Sequence, residues 1–423
     1  MCDDNKILLE RLREGDLDAF NSIYKNNLLI QNPLMKKILY IILFLWVNSS
    51  ALSYGQNQIK ITHQPYIQGL TAESVHILWT TDKPATAWVE IAPDDSSHFY
   101  HTERPKHFAT AYGFKKVGTL HQVTLNNLQP GTTYRYRVYN QEILKHVGTD
   151  VLYGKVIATN VYRKAPLRFK TLGKESRSEF IVINDMHGRN EVMNKLLDIG
   201  EVKNADFVVF NGDMVNSLLS EEQMFSDFMD TSISRFASET PMFYARGNHE
   251  TRGSFAIEYP RYFPTPTNKL YYQFNHGPMG VIVLDCGEDK PDSDIEYAGI
   301  VAMDDYRTEQ AQWLAQAVEN PEFKNAQYKI VICHMPPFGG WHGEQDILDK
   351  FVPILNKAGV QIMLSGHLHK HILQQKSATV NFPVLVNSNN NVIKASFSES
   401  EGLIKVLDQK GSLVETVRLK PLR

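Results

Sequence analysis

The apolar rhythm of the chain changes after residue 172, and the change divides it. Over residues 59–172 apolar and polar positions alternate, the period of half-buried strands. Val75, Ile77 and Trp79 form one such set, and Ala87, Val89 and Ile91 form another after a break at Lys83-Pro84. Val123 and Leu125 follow, then Tyr134, Tyr136 and Val138 beyond the turn at Pro130-Gly131. Short strands punctuated in this way predict an all-β sandwich completed by residues 168–172. After a polar linker, 173–178, unbroken apolar runs replace the alternation: 180–183, 207–210, 242–244, 281–284, 330–332 and 362–364. Between them, 190–201, 221–236, 308–318 and 344–358 have helical periodicity. In the last, Ile347, Leu348, Phe351, Val352 and Leu355 share a face. Strands apolar on both faces need cover on both, so these runs predict sheets flanked by helices. Beyond His371 the pattern returns to strands at 384–386, 403–406 and 414–419.

The front of the chain fits neither region. Met35-Lys36-Lys37 is a short basic segment, and 38–47 is an unbroken apolar run of ten residues. Small residues follow, with Ser53 or Gly55 as cleavage points, which is the pattern of a secretory signal peptide. The run falls short of the ~20 residues a membrane span needs. The expectation is an exported protein, periplasmic or extracellular in a bacterium, with no stable span after cleavage. Before it, the segment with Leu8, Leu9 and Leu12 reads as an amphipathic helix, followed by a turn at Gly15-Asp16 and the start of another helix. That segment resembles the opening of bacterial extracytoplasmic-function sigma factors over about 25 residues, without the rest of such a factor. Residues 1–34 therefore read as an upstream extension of the gene, with translation starting at Met35. The expected domains are 1–34 extension, 35–55 signal peptide, 56–172 β-domain and 179–423 the larger domain.

Composition narrows the chemistry mainly by exclusion. The 423 residues carry a formal net charge of −3, which offers no bulk attraction to a polyanion, so no nucleic-acid partner is expected. Cys2, Cys286 and Cys333 make neither a disulfide framework nor a CxxC metal motif. Cys286 and Cys333 end apolar runs and read as buried, inert thiols.

The candidate chemistry sits just behind five of the apolar runs. In order these blocks are Asp185-Met186-His187, Gly212-Asp213, Gly247-Asn248-His249-Glu250, His334 and Gly366-His367-Leu368-His369. Singly each is weak, since an Asp-x-His pair is commonly a cap and Gly-Asp a turn. Ligands of open α/β sheets bind beyond the carboxyl ends of strands, so five such blocks in order point at one edge. Mixed carboxylate, amide and imidazole donors suit manganese, iron or zinc without choosing among them.

This ordered set resembles the calcineurin-like metallophosphoesterase family over residues 179–371. The Pro130-Gly131-Thr132-Thr133-Tyr134-Arg135-Tyr136-Arg137-Val138 run is similar to a fibronectin type III-like domain of the kind that precedes the catalytic domain in purple acid phosphatases. The resemblance implies an α/β (α+β) sandwich of two mixed sheets with flanking helices behind an all-β sandwich. It implies a first divalent metal on Asp185, His187 and His369 and a second on Asn248, His334 and His367. Asp213 would bridge the two. The implied reaction is hydrolysis of a small phosphate ester, a monoester or small diester, by hydroxide held between the metals. His249 would stand at the leaving-group side as general acid. Glu250 would either orient it or form part of the loop. The β-domain carries no sign of chemistry and reads as a spacer or substrate rim.

The match to purple acid phosphatases has departures. His187 stands where that group has glycine, and Asn216 where it has the tyrosine that binds ferric iron. A pale enzyme is therefore expected, and acid pH preference does not carry over. Arg189, Asn216 and His342 are candidate substrate-binding residues. Gly339-Gly340-Trp341-His342 follows His334 closely enough to form a rim, and the acidic stretch 288–296 reads as an ordinary solvated loop. Three other readings compete: an exported nuclease, a non-catalytic binding scaffold of the same fold, and a regulator using the sigma-like front end.

Overall fold

The computed structural model describes residues 58–159, 164–173 and 175–422. The extension 1–34, the signal peptide 35–55 and Cys2 lie outside the described residues. No helix among the described residues is long and apolar enough to cross a membrane.

The β-domain is organised on one nineteen-residue strand, Val75–Pro93. Its first half pairs antiparallel with Tyr66–Gln68 and Val117–Leu125, its second half with Thr133–Val147. Where the sequence suggested two strands parted by Lys83-Pro84, the structure has one. Proline cannot donate to a ladder, and the pairing shifts register between Thr80 and Ala85 instead. Thr133–Val147 pairs in turn with Leu167–Lys170 and Asp150–Ala158. The alternating residues face one core: Val75, Ile77, Trp79, Ala87 and Val89 meet Val123, Leu125, Tyr136, Val138 and Phe169.

The larger domain is four layers deep. One six-stranded sheet runs in the order Met242–Ala245, Phe207–Asn211, Arg177–Ile183, Asn391–Ser398, Gly402–Asp408, Leu413–Leu419. The other runs Tyr272–His276, Met279–Leu284, Tyr328–Cys333, Ile362–Ser365, Val384–Val386, Ile372–Gln374. Each mixes parallel and antiparallel pairs. Between the sheets lie Phe180, Val182, Phe207 and Val209 from one and Val281, Val283, Ile330 and Ile332 from the other. Ile181, Ile183, Val208 and Phe210 turn to the opposite face and pack on Met193, Leu196 and Leu197 of helix Asn190–Ile199 and on Met224 to Phe236 of the next helical stretch. Ile282, Leu284, Val331 and Met363 do the same beneath helices Met303–Ala317, His342–Lys350 and Val352–Ala358. Burial on both faces is why these runs contain no polar position. The single helix expected over 344–358 is two, because Pro353 at the start of the second has no amide to donate.

The β-domain packs on the helices behind the first sheet. Tyr66 and Leu78 join that layer's core. Tyr66 Oη donates to Tyr262 O at 3.1 Å and Tyr136 Oη to Ser238 O at 2.7 Å. His63 stacks on Phe225 with ring centres 3.6 Å apart and bonds Asp230 Oδ1 at 2.8 Å.

Candidate metal centre

All five blocks reach one edge. Arg177–Ile183, Phe207–Asn211 and Met242–Ala245 are parallel neighbours, so Asp185, Asp213 and Asn248 leave the same end. Met279–Leu284, Tyr328–Cys333 and Ile362–Ser365 are likewise parallel, and they deliver His334, His367 and His369 to the facing end.

The turns that carry these side chains are unusual in backbone. Among the described residues, ten that are not glycine have positive φ, and five of them are Asp185, His187, Asp213, His367 and His369, with φ of 48° to 69°. L-residues occupy this left-handed region at a cost, and such residues gather where geometry serves a site. The glycines of the blocks have a different reason. A Cβ on Gly212 would stand 2.4 Å from His334 Nδ1, one on Gly247 2.2 Å from Asp213 Oδ1, and one on Gly366 2.6 Å from Asp185 Oδ2. Each glycine makes room for a donor from a different block.

Donor atoms of Asp185, His187, Asp213 and His369 lie within 4.8 Å of one another, and so do those of Asp213, His334 and His367. Asp213 belongs to both groups. Asn248 Oδ1 is 3.1 Å from His367 Nδ1, and His187 Nε2 is 3.2 Å from His369 Nε2. Asp185 Oδ1, His187 Nδ1 and His334 Nε2 are buried without a hydrogen-bond partner. Buried polar atoms are rarely left so, and convergent oxygens and nitrogens with free lone pairs are what a bound cation satisfies. The seven residues thus fit metal, and no thiolate takes part: Cys286 and Cys333 are buried, and burial pushes both thiols up.

The electrostatics of the pocket follow from burial and neighbours. Burial acts against a charged His334, but Asp213 and Asp185 outweigh it and push the imidazole up to about 10. Burial acts against a charged Asp213 as well, and His334 and His249 hold its carboxyl well below the usual range. His367 is pushed down to about 4 by burial and by the charge of His334. The Asp185 carboxylate raises His369.

His249 stands beside these groups on the open side. Its ring meets that of His187 edge-on at 4.7 Å, and its Nε2 is 3.9 Å from Asp213 Oδ2. Its Nδ1 lies 2.7 Å from Asn216 O. A carbonyl only accepts, so Nδ1 carries a proton and Nε2 is the ring nitrogen turned to the open side. Glu250 does not orient this ring. It is buried and accepts from the amides of Asp213, Met214 and Gly247 and from Tyr244 Oη, tying its own loop to the loop of Asp213.

The three candidate substrate residues fare differently. Arg189 donates to Met186 O, Asp185 O, Asn389 O and Asn390 Oδ1, so its guanidinium braces the first block. Asn216 contributes its backbone carbonyl to His249, and its side chain is exposed. His342 turns to Asp304 at 2.8 Å, in a cluster with Asp346 that Arg307 and Lys350 already neutralise. That cluster also has metal-like spacing, but its carboxylates are ion-paired rather than free.

Three contributors carry no sequence signal of their own. Arg252, three residues past His249, brings Nη1 to 3.4 Å from His249 Nε2 and is anchored by Glu288 and Asp289. Glu288 is fully buried and also bonds Tyr297, so the head of the acidic stretch is an anchor and not a solvated loop. Glu344, in the first turn of helix His342–Lys350, is buried with its Oε1 3.7 Å from His367 Nε2. Burial pushes its carboxyl up to about 7.

Residues 178–371 match the family model of calcineurin-like phosphoesterases, and residues 62–149 match that of the purple acid phosphatase N-terminal domain. Among curated proteins, the chain is 23% identical over 276 residues to purple acid phosphatase 22 of Arabidopsis thaliana, covering 62% of this chain and 55% of that one. It is 21% identical over 306 residues to probable inactive purple acid phosphatase 27 of the same plant, covering 62% and 45%. The chain therefore spans about half the length of these relatives. Among solved structures, it is similar to a purple acid phosphatase from yellow lupin (Lupinus luteus) seeds. That match has a TM-score of 0.61 and 15% identity, over 84% of this chain and 74% of that one. The likeness is one of fold.

Proposed function

We propose that this chain, whose residues 178–371 match the calcineurin-like phosphoesterase model behind a purple acid phosphatase N-terminal domain, is an exported hydrolase of small phosphate esters that works with two divalent cations. The observation that carries this reading is Asp213, whose carboxylate belongs to both groups of donor atoms at one sheet edge. A cation pair there supplies a nucleophile at neutral pH and charge to offset that of the phosphate. The first cation would be held by Asp185, His187, His369 and Asp213, the second by Asn248, His334, His367 and Asp213.

The protein's own groups then divide the remaining work. Glu250 fixes the loops bearing Asp213 and Asn248 through three backbone amides. The Asn216 carbonyl fixes the His249 tautomer. His249 acts from Nε2 as general acid toward the departing oxygen once Arg252 Nη1, the donor facing that nitrogen, turns to the substrate. Glu288 anchors the Arg252 guanidinium. Tyrosine is not among the proposed ligands, so iron-loaded protein is expected to lack an intense tyrosinate band. A strong visible band that disappears on replacing a tyrosine would overturn that ligand set.

The test is hydrolysis by the metal-loaded chain from Gln56 onward against a panel of phosphomonoesters, small diesters and DNA, with Asp213→Asn as control. Metal-dependent turnover of small esters lost in the variant is the expected result. Turnover of DNA alone would favour a nuclease, and none of any member a binding scaffold. Export rests on the pattern at 35–55, and N-terminal sequencing of protein recovered outside the cytoplasm tests it.

A further inference from the structure

Glu344 lies outside the seven proposed donors, yet its surroundings are built around it. It sits in the first turn of helix His342–Lys350 and is 1% exposed. Its Oε2 accepts the Trp341 amide at 2.9 Å. The preceding loop wraps the carboxylate closely. Gly339 and Gly340 have φ of 135° and 104°, and a Cβ on Gly339 would stand 2.4 Å from both carboxylate oxygens. Only glycine permits that approach.

The other oxygen, Oε1, is buried without a hydrogen-bond partner and faces His367 Nε2 at 3.7 Å. An unsatisfied buried acceptor is costly, so a fold that keeps one has a use for it. His367 presents its other nitrogen, Nδ1, to Asn248 Oδ1 at 3.1 Å, on the side of Asp213 and His334. The imidazole thus stands between a buried carboxylate and a group of metal-type donors.

We infer that Glu344 is a positioning residue for His367: its Oε1 accepts the Nε2 proton, leaving Nδ1 unprotonated and aimed at the cation shared with Asn248. The pair lies about 0.5 Å beyond hydrogen-bond range, a gap that a small rotation of the ring closes. A carboxylate on the remote nitrogen of a ligating histidine fixes the tautomer, holds the ring plane and raises its basicity. Glu344 touches neither substrate nor reacting atoms. It also couples the second cation to the Gly339-Gly340-Trp341 loop, whose Trp341 side chain is 47% exposed.

This inference rests on the two-cation reading above, and calorimetric titration of metal-stripped full chain with Mn²⁺ separates the two. If the unmodified chain takes fewer than two cations, the two-cation reading fails. If it takes two, Glu344→Ala and Glu344→Asp are expected to weaken one of the two binding steps by about 10–100-fold and leave the other step nearly unchanged. Glu344→Asp keeps the charge but withdraws the oxygen, so it carries the test if the alanine variant does not fold. Glu344→Gln keeps an acceptor oxygen in place and is expected to recover most of the lost affinity. Two steps of unchanged affinity in the folded Ala or Asp variant would overturn the inference. A loss in Gln equal to that in Ala would also overturn it.

Discussion

Two buried histidines, one in each domain, show how alike burial can serve opposite ends. In the β-domain, His121 bonds the Thr81 hydroxyl at 2.8 Å and leans on Trp79, and burial pushes its imidazole down to about 4. At the sheet edge, His334 is buried more completely, yet two carboxylates push it up to about 10. His121 has a hydroxyl partner, whereas His334 keeps Nε2 without a hydrogen bond, facing Asp213 Oδ2 at 3.1 Å. Burial alone distinguishes nothing here. What separates packing from chemistry is whether the polar atoms are paired off or left to converge.

The largest effect is expected at the shared donor: Asp213→Asn should remove metal-dependent hydrolysis to background and lower the bound metal seen by elemental analysis. Full metal content and undiminished turnover would show that Asp213 is paired off after all. Next comes His249→Ala, expected to keep both cations and lose about 10²–10⁴-fold in turnover of an ester with a poor leaving group. Equal turnover by the variant on that ester would take His249 out of the reaction.

In the β-domain the expected effect is on stability and its pH dependence. The folded imidazole of His121, at about 4, lies below the ordinary 6.5, so the unfolded chain binds the proton more readily. Its contribution is fully present above pH 6.5 and is lost as pH falls toward 4. A depression of that size corresponds to about 3 kcal/mol across the window. Urea melts of metal-free protein at pH 4.5 and 7 should show His121→Gln flattening this dependence, and an unchanged slope would contradict it. The smallest effect is at His187, whose φ of 48° suits glycine better. His187→Gly should stabilise the metal-free chain by roughly 1 kcal/mol while weakening cation binding. A lower denaturation midpoint in chelator would mean that packing of the ring outweighs the backbone cost.

Much of this was legible from periodicity. The core of the β-domain is the alternating set itself, Val75 to Val138, because one face of each strand meets a single core. The buried strands 180–183 to 362–364 stand where unbroken apolar runs lie, because both faces are covered. Asn391–Ser398 escaped notice although it lies beside Arg177–Ile183, since Lys394, Ser396 and Ser398 interrupt its apolar residues. The five blocks were legible because their donors sit beside turns with fixed spacing. Glu344, Arg252 and Glu288 were not. Each works through a partner supplied by the fold, as Glu344 does through His367 and Glu288 through Arg252 and Tyr297. Arg189 misled for the same reason, because its acceptors at Asn389 and Asn390 are two hundred residues away.

The three block glycines have a consequence for transplanting this site. Gly212 leaves room for His334, Gly247 for Asp213 and Gly366 for Asp185, so each loop is cut to the shape of another loop's donor. Such parts are not modular. A chimera that inherits one or two blocks from a different protein inherits clefts for side chains that are not there, and side chains with no cleft to enter. The five loops can drift in length and rim composition, but their turns are expected to change hands only as a set.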